Sequence, residues 1–366
     1  MRRTPEPDFL LTRNELQGYS LRNALAYLLD PSHFGREAGL EVEVSGRALV
    51  AGAARHESGI FVPFEVLQRD LVVGTPSAGG NLVATDVDGF VELLRPSSAV
   101  VAAGATVLTQ LRGNVAVPRM TSGASPEWVA ENSGATETQP SFDQVTLSPK
   151  TVTGWVDVSR RLILQANQDA LSLVGRDLVD SLGTALDKAA IAGSGASNQP
   201  RGILNTAGIG AVAGGTNGAA PTIDHAIDLE TAVANANTAA SRGFAYVTNT
   251  KVRGKLQRTQ MFSGTNGVPV WQRAGGADYL NGRPAMVSNN VPSNLTKGSA
   301  SGICSAIIYG AWADLVIGTW GAGITLMLDP YTGGTSGTVR VIAMLDADVA
   351  VRYATSFAAM QDALTS

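Results

Sequence analysis

Apolar and polar residues alternate most regularly just before the middle of the chain. Val152, Val156 and Val158 lie on one side of an extended segment, and Trp155 lies on the other side among polar residues. A period of two residues is typical of a β-strand. A second extended segment lies upstream, beyond a polar region rich in Gly, Ser, Thr and Glu. The pattern predicts a long ribbon over residues 112–158.

The ribbon should need a partner. An isolated pair of strands is only marginally stable in water, and its open edges invite pairing with another chain. We therefore predict that the ribbon lies against a neighbouring molecule. Trp128 and Trp155 are the preferred anchors, because aromatic side chains are enriched where interfaces lose water. The alternative for each tryptophan is packing within its own subunit.

A helical periodicity follows the ribbon. Apolar residues recur at steps of three, four and seven and define one face of a long helix: Leu164, Leu171, Val174, Leu178, Leu182 and Ala189. Such a face is typical of an amphipathic helix, which Gly193 can terminate. Another helix is predicted over residues 224–241, with Thr222 or Asp224 as its N-cap.

The first 74 residues differ from the rest of the chain. Helical patterns are predicted over residues 20–29 and 37–54, although valines and Gly46 weaken the second one. A stretch rich in Gly and Pro follows at residues 59–80. We interpret this stretch as an extended arm.

Strands dominate elsewhere. A short helix or turn precedes an apolar strand at residues 100–108, and a short helix is predicted over residues 250–258. Further strands are predicted at residues 244–248, 284–288, 306–309, 324–328, 339–344 and 349–353. This mixture of strands and helices predicts an α+β fold.

Composition indicates a large folded protein with many turns. The chain has 366 residues, of which 44% are hydrophobic and 16% are charged, and 41 are glycine. This length predicts roughly two structural units. The net charge of −4 gives no electrostatic reason to expect broad binding to nucleic-acid phosphates. The single cysteine, Cys304, excludes an intramolecular disulfide.

One stretch could be mistaken for a membrane span. Residues 303–328 carry a single charge, Asp314. Their glycines and β-favouring side chains indicate buried strands and turns, and not an apolar helix of about 20 residues. We expect no membrane association.

Candidate catalytic chemistry is sparse. The glycine-rich residues 193–202 lack the Gly-Lys-Ser/Thr ending of a phosphate loop and follow a helix, so they predict a helix-terminating turn. The histidines, His33, His56 and His225, have no second ligand at metal-binding spacing. Asp346 and Asp348 share one strand face, a usual solvated or interface pattern, with an acid/base pair as the minor alternative. No catalytic, metal or cofactor residue is therefore assigned.

Five segments occur in order along the chain: GGNLVAT at residues 79–85, VELLRPSS at residues 91–98, EWVAE at residues 127–131, FDQVTLSPK at residues 142–150, and LDKAAIAGSG at residues 186–195 with QPRGIL at residues 199–204. Together and in this order they resemble the major capsid proteins of tailed phages, which have the Hong Kong 97 type fold. The strongest match is the last segment.

The resemblance implies a division of the chain. Residues 1–80 would be an N-terminal extension and arm, and residues 112–158 the ribbon, called the E-loop in that family. The remaining ranges would be the peripheral domain with its spine helix (81–111 and 159–221), the axial domain (222–328) and the returning peripheral strands (329–366).

The resemblance also implies a function. Copies would form pentamers and hexamers in an icosahedral shell that encloses double-stranded DNA without sequence-specific binding. A portal and a cementing or scaffolding protein would be further partners, with assembly in the host cytoplasm and final location in the virion. The residues expected at contacts between subunits are Phe61, Pro63, Glu127, Trp128, Glu131 and Trp155.

Covalent cross-linking is not expected. Some family members join subunits through a ribbon lysine and a late asparagine, with a glutamate as base. This ribbon has no lysine between residues 112 and 149, and the chain has no asparagine after Asn294 and no glutamate after Glu230. The resemblance therefore implies non-covalent contacts.

Two alternatives remain at this point. A bacterial encapsulin-like nanocompartment shell would have the same fold and would package a cargo enzyme in place of DNA. A soluble enzyme is disfavoured, because no constellation of nucleophile, base and orienting group is found.

Overall fold

The computed structural model describes residues 18–20, 23–24, 27, 38–50, 59–63, 98–125, 127–129, 134, 136–159, 169–236, 243–262, 267–321, 323–329, 331–333 and 336–365. Within them the helices are α1 (Gly39–Val50), α2 (Ala99–Ala102), α3 (Asp169–Ala192), α4 (Ile223–Asn235) and α5 (Thr250–Arg258). Of these helices, none is long and apolar enough to cross a membrane.

The strands form a six-stranded sheet, an eight-stranded sheet and a two-stranded ribbon. In chain order they are β1 (Gly59–Pro63), β2 (Thr106–Leu111), β3 (Val115–Ser122), β4 (Ser141–Leu147), β5 (Lys150–Ser159), β6 (Gly210–Ala211), β7 (Phe244–Thr248), β8 (Trp271–Ala274), β9 (Ala277–Leu280), β10 (Arg283–Val287), β11 (Leu295–Lys297), β12 (Ala300–Ala311), β13 (Leu315–Trp320), β14 (Gly323–Asp329), β15 (Thr338–Val351) and β16 (Phe357–Leu364).

The long strand β15 organises the six-stranded sheet. It pairs antiparallel with β14, β13 and β5, while β1 adds to β14 and β2 adds parallel to β13. The alternation along β5 is confirmed: Val152, Val156 and Val158 join the core beneath α3, and Trp155 lies on the opposite, exposed face. Amphipathic α3 therefore packs on one face of this sheet.

The eight-stranded sheet runs β6-β16-β12-β7-β10-β9-β8, with β11 beside β12. Its core on one face includes Leu229 of α4, Leu256 of α5 and Tyr246 of β7. Its other face joins the core beneath α3, where Trp312 packs edge-on against Phe357 at 5.5 Å between ring centroids. The Trp312 Nε1–H donates to the Ala245 carbonyl at 2.8 Å, so the buried ring is hydrogen-bonded.

Two positions in the turn after α3 require glycine because the backbone packs closely there. A Cβ on Gly193 would lie 2.2 Å from the Pro200 carbonyl oxygen, and one on Gly202 would lie 2.5 Å from the Gly193 nitrogen. The Gly202 N–H donates to the Gly193 carbonyl at 2.9 Å. Because backbone approaches backbone this closely, glycine is required. The predicted helix-terminating turn is confirmed.

Several predicted elements match closely. Strand β7 and helix α5 have the predicted bounds, and Thr222 is the N-cap of α4. His225 accepts a hydrogen bond from the Thr222 N–H at 3.2 Å, which is a capping role. The prediction for residues 37–54 is confirmed over α1, and most of residues 20–29 lie outside the described residues.

The strand predicted at residues 100–108 is wrong over its first six residues. Residues 99–102 form α2, and the strand begins only at Thr106. The cause is tertiary: buried Asp187 accepts hydrogen bonds from the Ser98 hydroxyl at 2.9 Å and the Val100 N–H at 3.1 Å. These bonds satisfy the first turn of a short helix that occupies the start of the predicted strand.

The predicted domain boundaries require one sheet to end and the other to begin at residue 328. The sheets do not divide there. Strands β13 and β14 precede that boundary and lie in the six-stranded sheet, whereas β16 follows it and lies in the eight-stranded sheet. The chain crosses between sheets at Trp312–Asp314 and again at Ala354–Ser356. The Ser356 hydroxyl donates to the buried Asp314 carboxylate at 2.6 Å, which joins the two crossings.

The predicted ribbon is also too long at its C-terminal end. Strand β3 pairs with β4, but β5 pairs with β15 over ten residues from Lys150 to Ser159. Both strands alternate, so periodicity alone did not separate them. The two-stranded ribbon therefore ends at Leu147, and Trp155 belongs to the six-stranded sheet.

Candidate subunit interface

The root of the ribbon is built into its own subunit. Val117 and fully buried Leu147 pack with Val316 and Trp320 of β13. The Trp320 Nε1–H donates to the Gly113 carbonyl at 2.7 Å. This apolar cluster fixes the point at which the ribbon leaves the body.

Polar contacts continue the attachment a short way along the ribbon. Arg119 donates to the Asp143 carboxylate on the opposite strand at 2.6 Å and to the Arg352 carbonyl of the body at 3.1 Å. This hydrogen bonding lowers the pKa of the Asp143 carboxyl. The Met120 N–H donates to the Tyr353 hydroxyl at 3.3 Å. Among the described residues, this is the outermost hydrogen bond between the ribbon and the body.

Beyond Met120 the two arms stay in one antiparallel register by side-chain hydrogen bonds. The hydroxyls of Ser122 and Ser141 lie 2.7 Å apart, and the Ser125 N–H donates to the Thr138 hydroxyl at 3.2 Å. Each residue further along one arm is paired with a residue equally far back along the other arm, so the register does not shift in this part of the ribbon.

The outermost hydrogen-bonded pair among the described residues of the tip is Glu127 and Thr136. The Thr136 N–H donates to the Glu127 carboxylate, and this bond lowers the pKa of Glu127. All described residues from Thr121 to Gln144 are exposed. The tip thus projects from the body, held together by polar contacts between its arms.

The projecting part exposes large apolar side chains. Trp128 is fully exposed, and Met120 and Phe142 are 50% and 70% exposed. The last two are direct cross-strand partners and so lie on the same face of the ribbon. Scattered exposed apolar residues are common, but a paired Met and Phe with an exposed Trp on the same ribbon indicates a contact surface.

A second exposed aromatic lies on the outer face of the six-stranded sheet. Trp155 is 55% exposed, and the Arg340 guanidinium stacks on its ring at 3.9 Å from the centroid. Arg340 also binds the Asp157 carboxylate through two hydrogen bonds of 2.7 and 2.9 Å. These bonds lower the pKa of Asp157. Arg340 thus holds one side of the ring within its own subunit and leaves the rest accessible.

The other predicted contact residues are distributed as follows. Phe61 and Pro63 lie in β1, where they pair with Thr325 and Gly323 of the same subunit. Glu131 lies outside the described residues. The structure therefore brings only Glu127 and Trp128 together at the ribbon tip.

The aspartates on β15 have structural partners. Asp348 is buried and accepts hydrogen bonds from Lys150 Nζ at 2.6 Å and the Ser148 N–H at 3.0 Å. Asp346 accepts from the Thr151 hydroxyl at 2.5 Å. The prediction of a solvated or interface face is wrong for Asp348, because this residue is buried in its own subunit, where it pairs with Lys150 at the start of β5. Among the described residues, no group of three or more His, Cys, Asp and Glu could hold a metal ion.

Sequence reasoning missed Met120, Phe142 and Arg340. The signal for the first two is an apolar residue at an otherwise polar position in each arm. Recognising them as partners requires the register, which shifts between Met120 and Ser122. Arg340 gave no signal, since its partners are set by the pairing of β5 with β15.

Solved shell structures have the same architecture. The capsid of a native GTA particle aligns with a TM-score of 0.61 at 18% identity, covering 77% of this chain and 96% of that chain. The holo-SrpI encapsulin complex from Synechococcus elongatus PCC 7942 aligns with a TM-score of 0.56 at 14% identity, covering 77% and 94%. The molecule has the Hong Kong 97 type capsid fold, as the resemblance implied.

Sequence comparison then gives the family. The chain belongs to the phage capsid family, whose model matches residues 79–362. The major capsid protein of Halomonas phage phiHAP-1 is 32% identical over 353 residues, which is 95% of this chain and 55% of that relative. The chain thus spans about half the length of this curated relative.

Proposed function

We propose that this chain is a major capsid protein whose copies assemble into an icosahedral shell around phage double-stranded DNA. The observation that carries the proposal is the ribbon tip, in which every described residue from Thr121 to Gln144 is exposed, including Trp128 and Phe142, the cross-strand partner of half-exposed Met120. Such a limb is costly for a protein that acts alone, because it exposes apolar surface.

In the shell, each ribbon lies over a neighbouring subunit. The six-stranded sheet with α3 forms the peripheral part, and the eight-stranded sheet forms the axial part that meets its copies at ring centres. The contact is heterologous, because a ribbon tip meets a different surface on the next copy. Many weak non-covalent contacts repeated in a closed lattice give a stability that no single contact has.

Further partners follow from the same proposal. Pentamers and hexamers close the shell, a portal admits the DNA, and a cementing or scaffolding protein assists assembly. Assembly takes place in the host cytoplasm, and the finished shell is part of the virion. The role is structural, with no catalytic step.

Electron microscopy of the purified full-length chain tests the proposal. We expect closed shells from the wild type and none from a variant that lacks residues 122–139. The deleted variant should keep the circular dichroism spectrum and melting temperature of the wild-type subunit, because the deletion begins beyond the Met120 contact with the body. Normal shells from the deleted variant would contradict the mechanism.

The encapsulin alternative has one supporting observation, the similar fold of the Synechococcus complex. Particles purified from the native source distinguish the two functions by their contents. Nuclease-protected double-stranded DNA supports the phage shell, and a co-purifying cargo enzyme without DNA supports the nanocompartment.

A further inference from the structure

Helix α5 concentrates positive charge in a chain that is acidic overall. Its nine residues include Lys251, Arg253, Lys255 and Arg258, whereas the whole chain has 27 basic residues and a net charge of −4. Arg253 lies 3.8 Å from the Asp278 carboxylate. The other three basic residues are spaced four and three positions apart, which places them on one helix face.

The local sequence fixes which face is exposed. Val252 and Leu256 are buried in the core under the eight-stranded sheet, and the Asn249 side chain caps the helix by accepting from the Val252 N–H at 3.0 Å. Lys251 and Arg258 are exposed as a consequence. The helix is therefore anchored by its apolar face and presents its basic face outward.

The basic face borders a groove of about 460 Å³. Its lining residues are Thr250, Lys251, Gly254, Lys255, Arg258, Thr259 and Thr365. Among these described residues none is acidic and none has a large apolar side chain. The hydroxyls of Thr250 and Thr259 already donate within the subunit, at 2.8 and 3.0 Å, so the exposed cations Lys251 and Arg258 would carry the binding of a ligand.

This chemistry fits a phosphate backbone better than a protein surface. The centres of protein interfaces are depleted in lysine and enriched in apolar side chains, whereas interfaces with DNA are polar and strongly positive. From Lys251 to Arg258 the helix rises roughly 10 Å. A DNA duplex presents about six phosphates over that length of its axis.

We propose that the α5 groove contacts the phosphate backbone of the DNA inside the shell. The inference rests on the proposed function and extends it by assigning this surface of the eight-stranded sheet to the shell interior. Contact through a few cations is independent of base sequence and weakens with salt. A sparse contact of this kind suits a container whose DNA must move in and out.

The test measures binding of a fluorescein-labelled 30-base-pair duplex to the unassembled full-length chain, at protein concentrations below those that form shells, by anisotropy at 50 and 200 mM NaCl. The variant is Lys251→Gln with Arg258→Gln, and the control is Lys188→Gln with Lys297→Gln, which removes two exposed charges away from the groove. Loss of two phosphate contacts should reduce the salt-dependent fall in affinity by about tenfold. The control should behave as wild type.

Two outcomes would overturn the inference. One is an unchanged salt dependence in the groove variant. The other is failure of that variant to form empty shells without DNA while the control forms them, which would make the groove a contact between subunits. If the wild type itself forms no shells, the proposed function fails, and the anisotropy still decides whether the groove binds phosphate.

Discussion

The root and the tip of the ribbon differ in how their apolar side chains are packed. At the root, Leu147 and Val117 bury their side chains against Trp320 of their own subunit. At the tip, Trp128 is fully exposed, and the arms are held together by hydrogen bonds such as that between Ser125 and Thr138. Two parts of one hairpin thus differ in whether their apolar surface has a partner.

The difference shows that separate residues set the direction of the ribbon and its contact with a neighbouring molecule. A packed root sets the angle at which the ribbon leaves the body, and this setting does not depend on a neighbour. A tip whose described arms are joined by polar contacts keeps its exposed apolar side chains available for another molecule. Root changes should therefore alter subunit stability, whereas tip changes should alter assembly.

The largest effect on stability is expected from Leu147→Ala. This substitution removes a fully buried side chain from the cluster with Trp320 and leaves a cavity, so the free energy of unfolding should fall by about 3 kcal/mol. Thermal or denaturant unfolding of the isolated subunit measures this change.

Val145→Ala is the matched control for the root. Val145 lies on the same face of β4 but is only half-buried, so its truncation should cost clearly less. Equal losses in the two variants would contradict the view that the cluster around Leu147 is the point of attachment.

Sequence predicted the elements of the fold better than their connections. The bounds of α5 were predictable because its cap, its apolar pair and its neighbouring strand are all local signals. The assignment of β5 to the ribbon failed because the alternation of Val152, Val156 and Val158 is the same whichever strand lies beside it. The two crossings between sheets, joined by Ser356 and Asp314, involve residues far apart in the chain and gave no local signal.

The candidate interface was predictable only in part. A long ribbon before an amphipathic helix indicated a protruding limb, and Trp128 was a suitable anchor by its residue type. The pairing of Met120 with Phe142 depends on a register shift in the ribbon that periodicity does not determine. The stacking of Arg340 on Trp155 depends on a strand nearly 200 residues away in the sequence.

A smaller effect is expected at the boundary between root and tip, from Asp143→Asn. The Arg119 guanidinium holds the pKa of the Asp143 carboxyl below its ordinary value. A carboxyl with a lowered pKa in the folded state stabilises the fold above its unfolded pKa and loses that contribution as pH falls through its folded pKa. The variant should melt about 1 °C below the wild type at pH 7, because exposed ion pairs contribute little.

The pH dependence of this difference is the discriminating measurement. The difference in melting temperature between wild type and Asp143→Asn should shrink as pH falls from the ordinary aspartate range through the lowered pKa of the folded Asp143 carboxyl. Glu137→Gln, which removes one carboxylate charge from the tip, is the control. A difference in melting temperature that stays constant down to acid pH would show that the charge of Asp143 does not stabilise the boundary between root and tip.

The smallest effect on stability is expected from Trp128→Ala. Because the side chain is fully exposed, its removal should change the free energy of unfolding by no more than about 0.5 kcal/mol. Assembly should respond strongly, since a tryptophan buried at an interface commonly contributes more than 1 kcal/mol per contact and the contact repeats around the shell. The protein concentration needed for shell formation, followed by light scattering, should rise about tenfold or more.

Tyr331→Ala separates this effect from the general loss of an exposed aromatic. Tyr331 is 89% exposed and lies outside the ribbon, and the hydrogen bond to Asp329 uses its backbone N–H, which the substitution keeps. The control should assemble as wild type. If Trp128→Ala destabilises the isolated subunit as much as Leu147→Ala does, the tip packs on its own body and the distinction between root and tip is wrong. If both aromatic variants assemble normally, the neighbour is recognised elsewhere, and the exposed pair of Met120 and Phe142 becomes the surface to truncate next.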